Sequence, residues 1–252
     1  MQSGQIQFLN CPLNAITMDQ TVEQCLAWSR SPRQPHLLVT INANTLDMMR
    51  KNAQLREACV TADLNVADGM PVVWACSWLN TPIKGRVAGV DLLARLLEVG
   101  SQHQLRVYFL GAKLEVLKQL IKVCQERYPG VNIVGYHDGY FSEAEHARIV
   151  AEIRNSEADF LFIGMPTPFK EIWAHRYKTE LNIPLIFGVG GSFDVLAGFV
   201  RRAPRWMQTI GMEWFWRVVM EPRKLWKRHL VCNSTFIWLV LRELLPYRRI
   251  KP

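Results

Sequence analysis

Six short apolar runs, most of them followed by a stretch with helical spacing, constrain this chain more than any other feature. His36–Asn42, Leu64–Ala67, Arg106–Leu110, Val131–Val134, Asp159–Ile163 and Pro184–Phe187 are β-prone and mostly apolar, the pattern of strands buried on both faces. Between them, Leu92–Val99, Leu114–Arg127, Glu143–Arg154 and Phe169–Leu181 place apolar residues three and four apart, as an amphipathic helix requires. This alternation predicts an α/β fold, a doubly wound and mainly parallel sheet whose ligands sit beyond the carboxyl ends of the strands. At 252 residues and 49% apolar content the chain can bury one substantial core, and no low-complexity linker or internal repeat interrupts it.

The strand ends are polar or glycine-rich. Thr40 and Asn42 close one strand and Asp68-Gly69 another; Gly111-Ala112 follows Leu110, Gly164 follows Ile163, and the Gly188–Gly191 stretch, which contains Gly190, follows Phe187. Each alone has a plain structural reading as a turn, a helix cap or a tight entry into a helix. Five such features on one rim mark a site. Gly111, placed before a helix, can bring backbone N–H groups and the positive helix end to a phosphate. The six histidines show no paired ligand spacing and the six cysteines no C-x-x-C spacing, which argues against a zinc site or a disulfide framework and for a reduced protein.

Charge divides the chain at residue 200. Residues 201–252 hold 12 Lys and Arg against 3 Glu, whereas residues 1–200 hold 18 basic and 19 acidic side chains. Five of the nine tryptophans lie in that basic tail. Residues 1–200 therefore read as an α/β domain, and 201–252 as a basic, Trp-rich helical appendage that associates with a membrane. Glu221-Pro222 suits a helix start, and within Arg223–Leu230 the four cations Arg223, Lys224, Lys227 and Arg228 fall in an arc of about 140°. Trp206, Ile210, Trp214 and Val218 form an apolar stripe spaced by four. The most apolar run, between Arg228 and Arg242, makes roughly 20 Å of helix against a hydrocarbon core of about 30 Å. The tail is expected to lie on an anionic membrane surface, not to span it. Residues 1–7 lack the pattern of a secretory signal, so the expected place is cytoplasmic. The neutral body and the segregated apolar arc count against nucleic acid as the partner.

Thr40-Ile-Asn42, Ala67–Ala75, Arg86–Leu92, Gly139-Tyr-Phe141, Gly188–Gly198 and Arg202–Met207 occur in an order that resembles the WecG/TagA/CpsF glycosyltransferases, glycosyltransferase family 26. Gly211–Arg217 and Glu221–Arg228 extend the resemblance into the tail. It implies a Rossmann-like fold of the GT-E type. It also implies inverting, metal-independent transfer of one sugar from a UDP-sugar to a saccharide on undecaprenyl diphosphate, peripherally on the inner face of the bacterial cell membrane. N-acetylmannosamine, its uronic acid and glucose are all compatible donors, and a homo-oligomer stays open. By position, Asp68 matches the proposed catalytic base, Thr40 and Asn42 a Thr-x-Asn motif lining the same pocket, and Arg86 an arginine near the active site. The chain has no Asp-x-Asp, the usual carboxylate pair for a divalent cation on a nucleotide diphosphate. Arg86, Lys170, Arg217, Lys224 and Lys227 are then the cations expected to stabilise the leaving group, with Gly111, Gly164 and Gly190 shaping the pocket. Two departures stand out. Lys170 occupies a position where a glutamine is usual, and Lys224 and Lys227 replace arginines, keeping charge without the bidentate fork. Headgroup attraction accounts for Arg223–Arg228 as well as a role in the site does. A catalytically inert, membrane-docked nucleotide-binding module is the alternative reading.

Overall fold

A computed structural model describes residues 4–209, 211–220 and 234–245, with the backbone alone at Thr209 and Arg217. A hairpin of β1 (Gln5–Phe8) and β2 (Cys11–Asn14) leads into α1 (Met18–Arg30). Then come β3 (His36–Ile41), α2 (Ala43–Lys51), α3 (Ala53–Val60), β4 (Leu64–Ala67), α4 (Met70–Trp78) and α5 (Gly89–Gln102). The second half runs through β5 (Arg106–Gly111), α6 (Leu114–Arg127), β6 (Asn132–His137), α7 (His146–Asn155), β7 (Phe160–Gly164), α8 (Phe169–Leu181), β8 (Leu185–Gly188) and the short α9 (Ser192–Leu196). After these come α10 (Arg205–Thr209), α11 (Glu213–Met220) and a helix over 234–244.

All six expected strands form, and they make one parallel sheet in the order β4-β3-β8-β7-β5-β6. Period-two alternation sends Leu37, Val39 and Ile41 of β3 to one face, with helices α2, α3, α7 and α8. Leu38 goes to the other, with α1, α5, α6 and α9. On this second face Phe109, Phe160, Phe162, Phe187 and Phe193 are fully buried and touch in stacked and edge-on pairs. Burying each contributes about 1.5–3 kcal/mol. The chain leaves β5 toward β6 and β7 toward β8, so the connections diverge between Gly111 and Gly164, the switch point at which a doubly wound sheet takes its ligands.

Burial on both faces fails for one strand. β6 is exposed or half-buried along its length because it forms the sheet edge, and the register beside it shifts between Val107 and Tyr108. The opposite edge, β4, is covered by the hairpin: Asn65 N–H donates to Asn14 Oδ1 at 2.9 Å, so a side-chain carbonyl replaces a neighbouring strand.

The tail also departs from its simplest reading. Its apolar stripe is not one helix, because Gly211 at φ +69 ends α10 and Met212 N–H turns back to the Met207 carbonyl at 2.8 Å. Trp206 and Trp214 thus belong to separate helices, and Ile210 lies outside the described residues. Helix 234–244 turns Phe236 and Val240 into the core, where Phe236 meets Phe8 at 6.4 Å between ring centroids. Ile237, Trp238, Leu241 and Leu245 face outward. Glu221-Pro222 and Arg223–Leu230 lie outside the described residues.

Candidate active site

Parallel pairing brings the first two strand ends together. Ile41 is in register with Ala67, and Asp68 N–H donates to the Ile41 carbonyl at 2.9 Å, so residues 42 and 68 leave the sheet side by side. Asp68 precedes Gly69, the cap of α4, and its Oδ1 accepts the N–H of Gly89, the first residue of α5, at 3.0 Å. The carboxylate therefore stands between two helix starts, where backbone dipoles favour negative charge. Thr40 is buried against the start of α5: a Cβ on Gly89 would lie 3.7 Å from its Cγ2 and 3.9 Å from its Oγ1. Asn42 caps α2, its Oδ1 accepting from Thr45 N–H at 3.0 Å and Thr45 Oγ1–H at 3.2 Å. Its carbonyl is thus occupied by the fold, and its amide N–H groups are the part suited to a ligand. Thr40, Asn42 and Asp68 do come together.

Arg86 joins them because Val87 N–H donates to the Ala67 carbonyl at 2.8 Å, carrying the chain along the end of β4. Its guanidinium donates to Glu213 at 3.1 Å and lies 3.9 Å from Asp91. Arg202 grips Asp91 through both ends of its guanidinium and reaches Glu213 at 3.4 Å. That hydrogen bond from Arg202 holds the Asp91 carboxyl below its ordinary value, against partial burial that raises it.

The glycine-rich ends are built by close backbone approach. Gly111 has φ +114, and a Cβ there would stand 2.7 Å from the Gly164 carbonyl carbon; one on Gly164 would stand 2.2 Å from the buried ring of Phe193. Neither position has room for a side chain. Beyond Gly111, Lys113 stands at the N-cap of α6 and makes no side-chain capping hydrogen bond. Lys170 is buried beneath the last of these loops, where a Cβ on Gly188 would meet its Cδ at 2.9 Å and one on Gly190 its Cε at 3.6 Å. Its ammonium is paired with Glu171 Oε1, which also accepts from Thr167 Oγ1–H at 2.9 Å. Glu171 Oε2 is buried without a hydrogen-bond partner among the described residues. Lys170 thus reaches the loop, but with its charge balanced from below.

Arg217 lies in α11 with its side chain outside the described residues, as are Lys224 and Lys227 entirely. Sequence reasoning missed Gly89, Asp91, Arg202 and Glu213. All four lie inside stretches that carry the family resemblance, yet the pairs Arg86–Glu213 and Asp91–Arg202 join residues more than a hundred positions apart, which one sequence does not display. Among the described residues no group of three or more His, Cys, Asp or Glu side chains could hold a metal ion.

Three relatives are similar over most of this chain, and all three bear the name N-acetylglucosaminyldiphosphoundecaprenol N-acetyl-beta-D-mannosaminyltransferase. The protein of Bacillus subtilis (strain 168) is 30% identical over 77% of this chain and 75% of its own length. That of Bacillus spizizenii (strain ATCC 23059 / NRRL B-14472 / W23) is 32% identical over 77% and 74%. That of Staphylococcus aureus (strain MW2) is 29% identical over 90% and 87%. The family model for glycosyl transferases of the WecG/TagA/CpsF family matches residues 6–250, nearly the full sheet-and-tail architecture, and the chain belongs to that family.

Proposed function

We propose that this glycosyltransferase moves one sugar from a UDP-sugar, with inversion, to a saccharide carried on a polyprenyl diphosphate, with Asp68 as the base. The observation that carries the reading is the Asp68 carboxylate, aimed by the Gly89 N–H and flanked by Thr40, Asn42 and Arg86 on the rim where a doubly wound sheet takes its ligands. The names of the relatives support the acceptor class, and N-acetylmannosamine leads the candidate donors ahead of its uronic acid and glucose. The acceptor oxygen attacks the anomeric carbon from the face opposite UDP. Its bond to carbon forms as the bond to the diphosphate oxygen breaks, UDP leaves with the electron pair, and the hydroxyl proton passes to Asp68. Arg86, carried along the end of β4 by the bond from Val87 N–H to the Ala67 carbonyl, is proposed to share the diphosphate's charge with Lys170, Arg217, Lys224 and Lys227, so that no divalent cation is needed.

The tail supports attachment to the inner face of a bacterial cell membrane. Helix 234–244 exposes Ile237, Trp238 and Leu241 away from Phe236 and Val240, Leu245 just beyond it is exposed too, and the guanidiniums of Arg50 and Arg242 lie 5.8 and 5.5 Å from the Trp238 ring centroid. Among the described residues no helix is long and apolar enough to cross a membrane. Replacing Arg223, Lys224, Lys227 and Arg228 with glutamine should weaken binding to anionic liposomes by about 1 kcal/mol per charge. The function itself is tested by offering a panel of radiolabelled UDP-sugars with polyprenyl-diphosphate-linked acceptors. Transfer from one of them is expected, and failure with all would remove the reading.

A further inference from the structure

Four charged side chains from two distant parts of the chain close into a ring beside Asp68. Arg202 grips Asp91 with both ends of its guanidinium, one contact at 2.8 Å, and reaches Glu213 at 3.4 Å; Arg86 donates to the same Glu213 at 3.1 Å and lies 3.9 Å from Asp91. Positive and negative charges alternate around the ring, which is balanced as a unit. The side chains of Arg86, Glu213 and Arg202 are 14%, 19% and 23% exposed and that of Asp91 43%, so water and salt screen the two pairs made with Glu213 less than the surface pair of Arg95 with Asp19, and the Asp91 side of the ring more than the Glu213 side.

Residues 201–220 meet the rim at a second place. Gly211 approaches α4 so closely that a Cβ would lie 2.7 Å from Met70 Cβ and 2.9 Å from the Trp74 ring. Within the segment, Trp216 Nε1–H donates to the Arg201 carbonyl at 3.2 Å and folds it on itself. The starts of α4 and α5 flank Asp68. The segment is fastened beside both, by Gly211 on α4 and by the charge ring on α5.

We propose that Asp91, Arg202 and Glu213 are positioning residues whose ring holds residues 201–220 on the catalytic rim and, through Glu213, sets the placement of Arg86 beside Asp68. The inference rests on the function proposed above. Arg86 gives one hydrogen bond to Glu213, and the fork of its guanidinium leaves further N–H directions for a diphosphate oxygen. Arg202 has both ends engaged by Asp91 and anchors instead.

The test uses the full chain with UDP as titrant and the transfer assay beside it. Arg202→Met breaks the ring, Arg202→Lys keeps the charge without the fork, and Glu213→Gln loosens Arg86 with almost no change of shape. UDP affinity should fall about tenfold in Arg202→Met and Glu213→Gln, since a charge-assisted hydrogen bond is weakened. Turnover should fall by up to about 10²-fold from the misplaced cation. Arg202→Lys should recover part of both, and amide hydrogen exchange over residues 201–220 should quicken in Arg202→Met. Wild-type UDP affinity and turnover in Arg202→Met and Glu213→Gln would overturn the inference while leaving the proposed function standing. A poorly folding Arg202→Met leaves Glu213→Gln to decide. Absence of UDP binding and transfer in the wild-type chain would instead overturn the function and, with it, the part assigned to Arg86.

Discussion

Around β3 and β4 the rim offers side chains, Thr40, Asn42, Asp68 and Arg86, whereas around β5, β7 and β8 it offers backbone, because Gly111 and Gly164 leave no space for anything else. One half carries groups able to take a proton or hold an anion. The other half carries shape. Lys170 is the exception that fits the contrast, since its ammonium lies under the glycine loop and is already paired with Glu171. The lesson is that activity and stability should separate by half: changes beside Asp68 should remove function from an intact fold, and changes at the glycines should unsettle the fold itself.

The largest effect is expected at Asp68. Asp68→Asn keeps an oxygen able to accept from Gly89 N–H, so the melting temperature and UDP binding should change little while turnover falls by about 10²–10⁴. Near-normal turnover would move the base elsewhere. Next comes Gly111→Ala, which forces a Cβ against the Gly164 backbone at φ +114 and should cost about 3 kcal/mol, lowering the melting temperature by roughly 6–12 °C. Gly190→Ala serves as its control, because φ is +55 there but the nearest atom is 3.6 Å away, and about 1 kcal/mol is expected. Equal melting temperatures for the two variants would break the contrast between crowded and open glycines.

A smaller effect tests the charge ring by pH. The Asp91 carboxyl is held low by the hydrogen bond from Arg202, so its contribution to stability is complete above the unfolded value of about 3.9 and is lost as the pH falls through the folded value. Wild type and Asp91→Asn should therefore differ in melting temperature by a steady margin from neutral pH to about pH 5, and converge in stronger acid. A margin that persists unchanged at pH 2 would assign the difference to packing. The smallest expected effect is none: transfer should continue in excess EDTA. Loss restored by Mg²⁺ or Mn²⁺ would shift the neutralisation of the diphosphate from side chains to a metal.

How far the sequence reached follows the same physical division. Strands such as Phe160–Gly164 and Leu185–Gly188 were legible because both of their faces are buried, which writes an unbroken apolar run. β6 extends through Gly135, Tyr136 and His137 where the expected run stopped at Val134, since an edge strand has no such requirement. The hairpin was missed because it gives the core only Phe8, Cys11 and Leu13, too few to show a period. Helix α1 is marked in the sequence mainly by its start, where Thr17 and Gln20 form a capping box with contacts of 3.2 and 3.1 Å. Asp68 was legible by its place after a strand. The partnership of Arg86 with Glu213 was not, because it depends on how the segment after residue 200 folds back.

The contact between Phe8 and Phe236 also orders events during synthesis. Phe8 leaves the ribosome more than two hundred residues before Phe236, whose ring it meets in the finished core. At roughly 5–20 residues per second, the hairpin waits on the order of ten seconds or longer before that contact can form. Asn14 can settle on β4 long before, so the sheet edge closes early while the apolar seat of the hairpin closes late. A chain cut at residue 200 would stay permanently at that unfinished stage. Such a truncation therefore tests completion of the core as well as the proposed attachment to lipid.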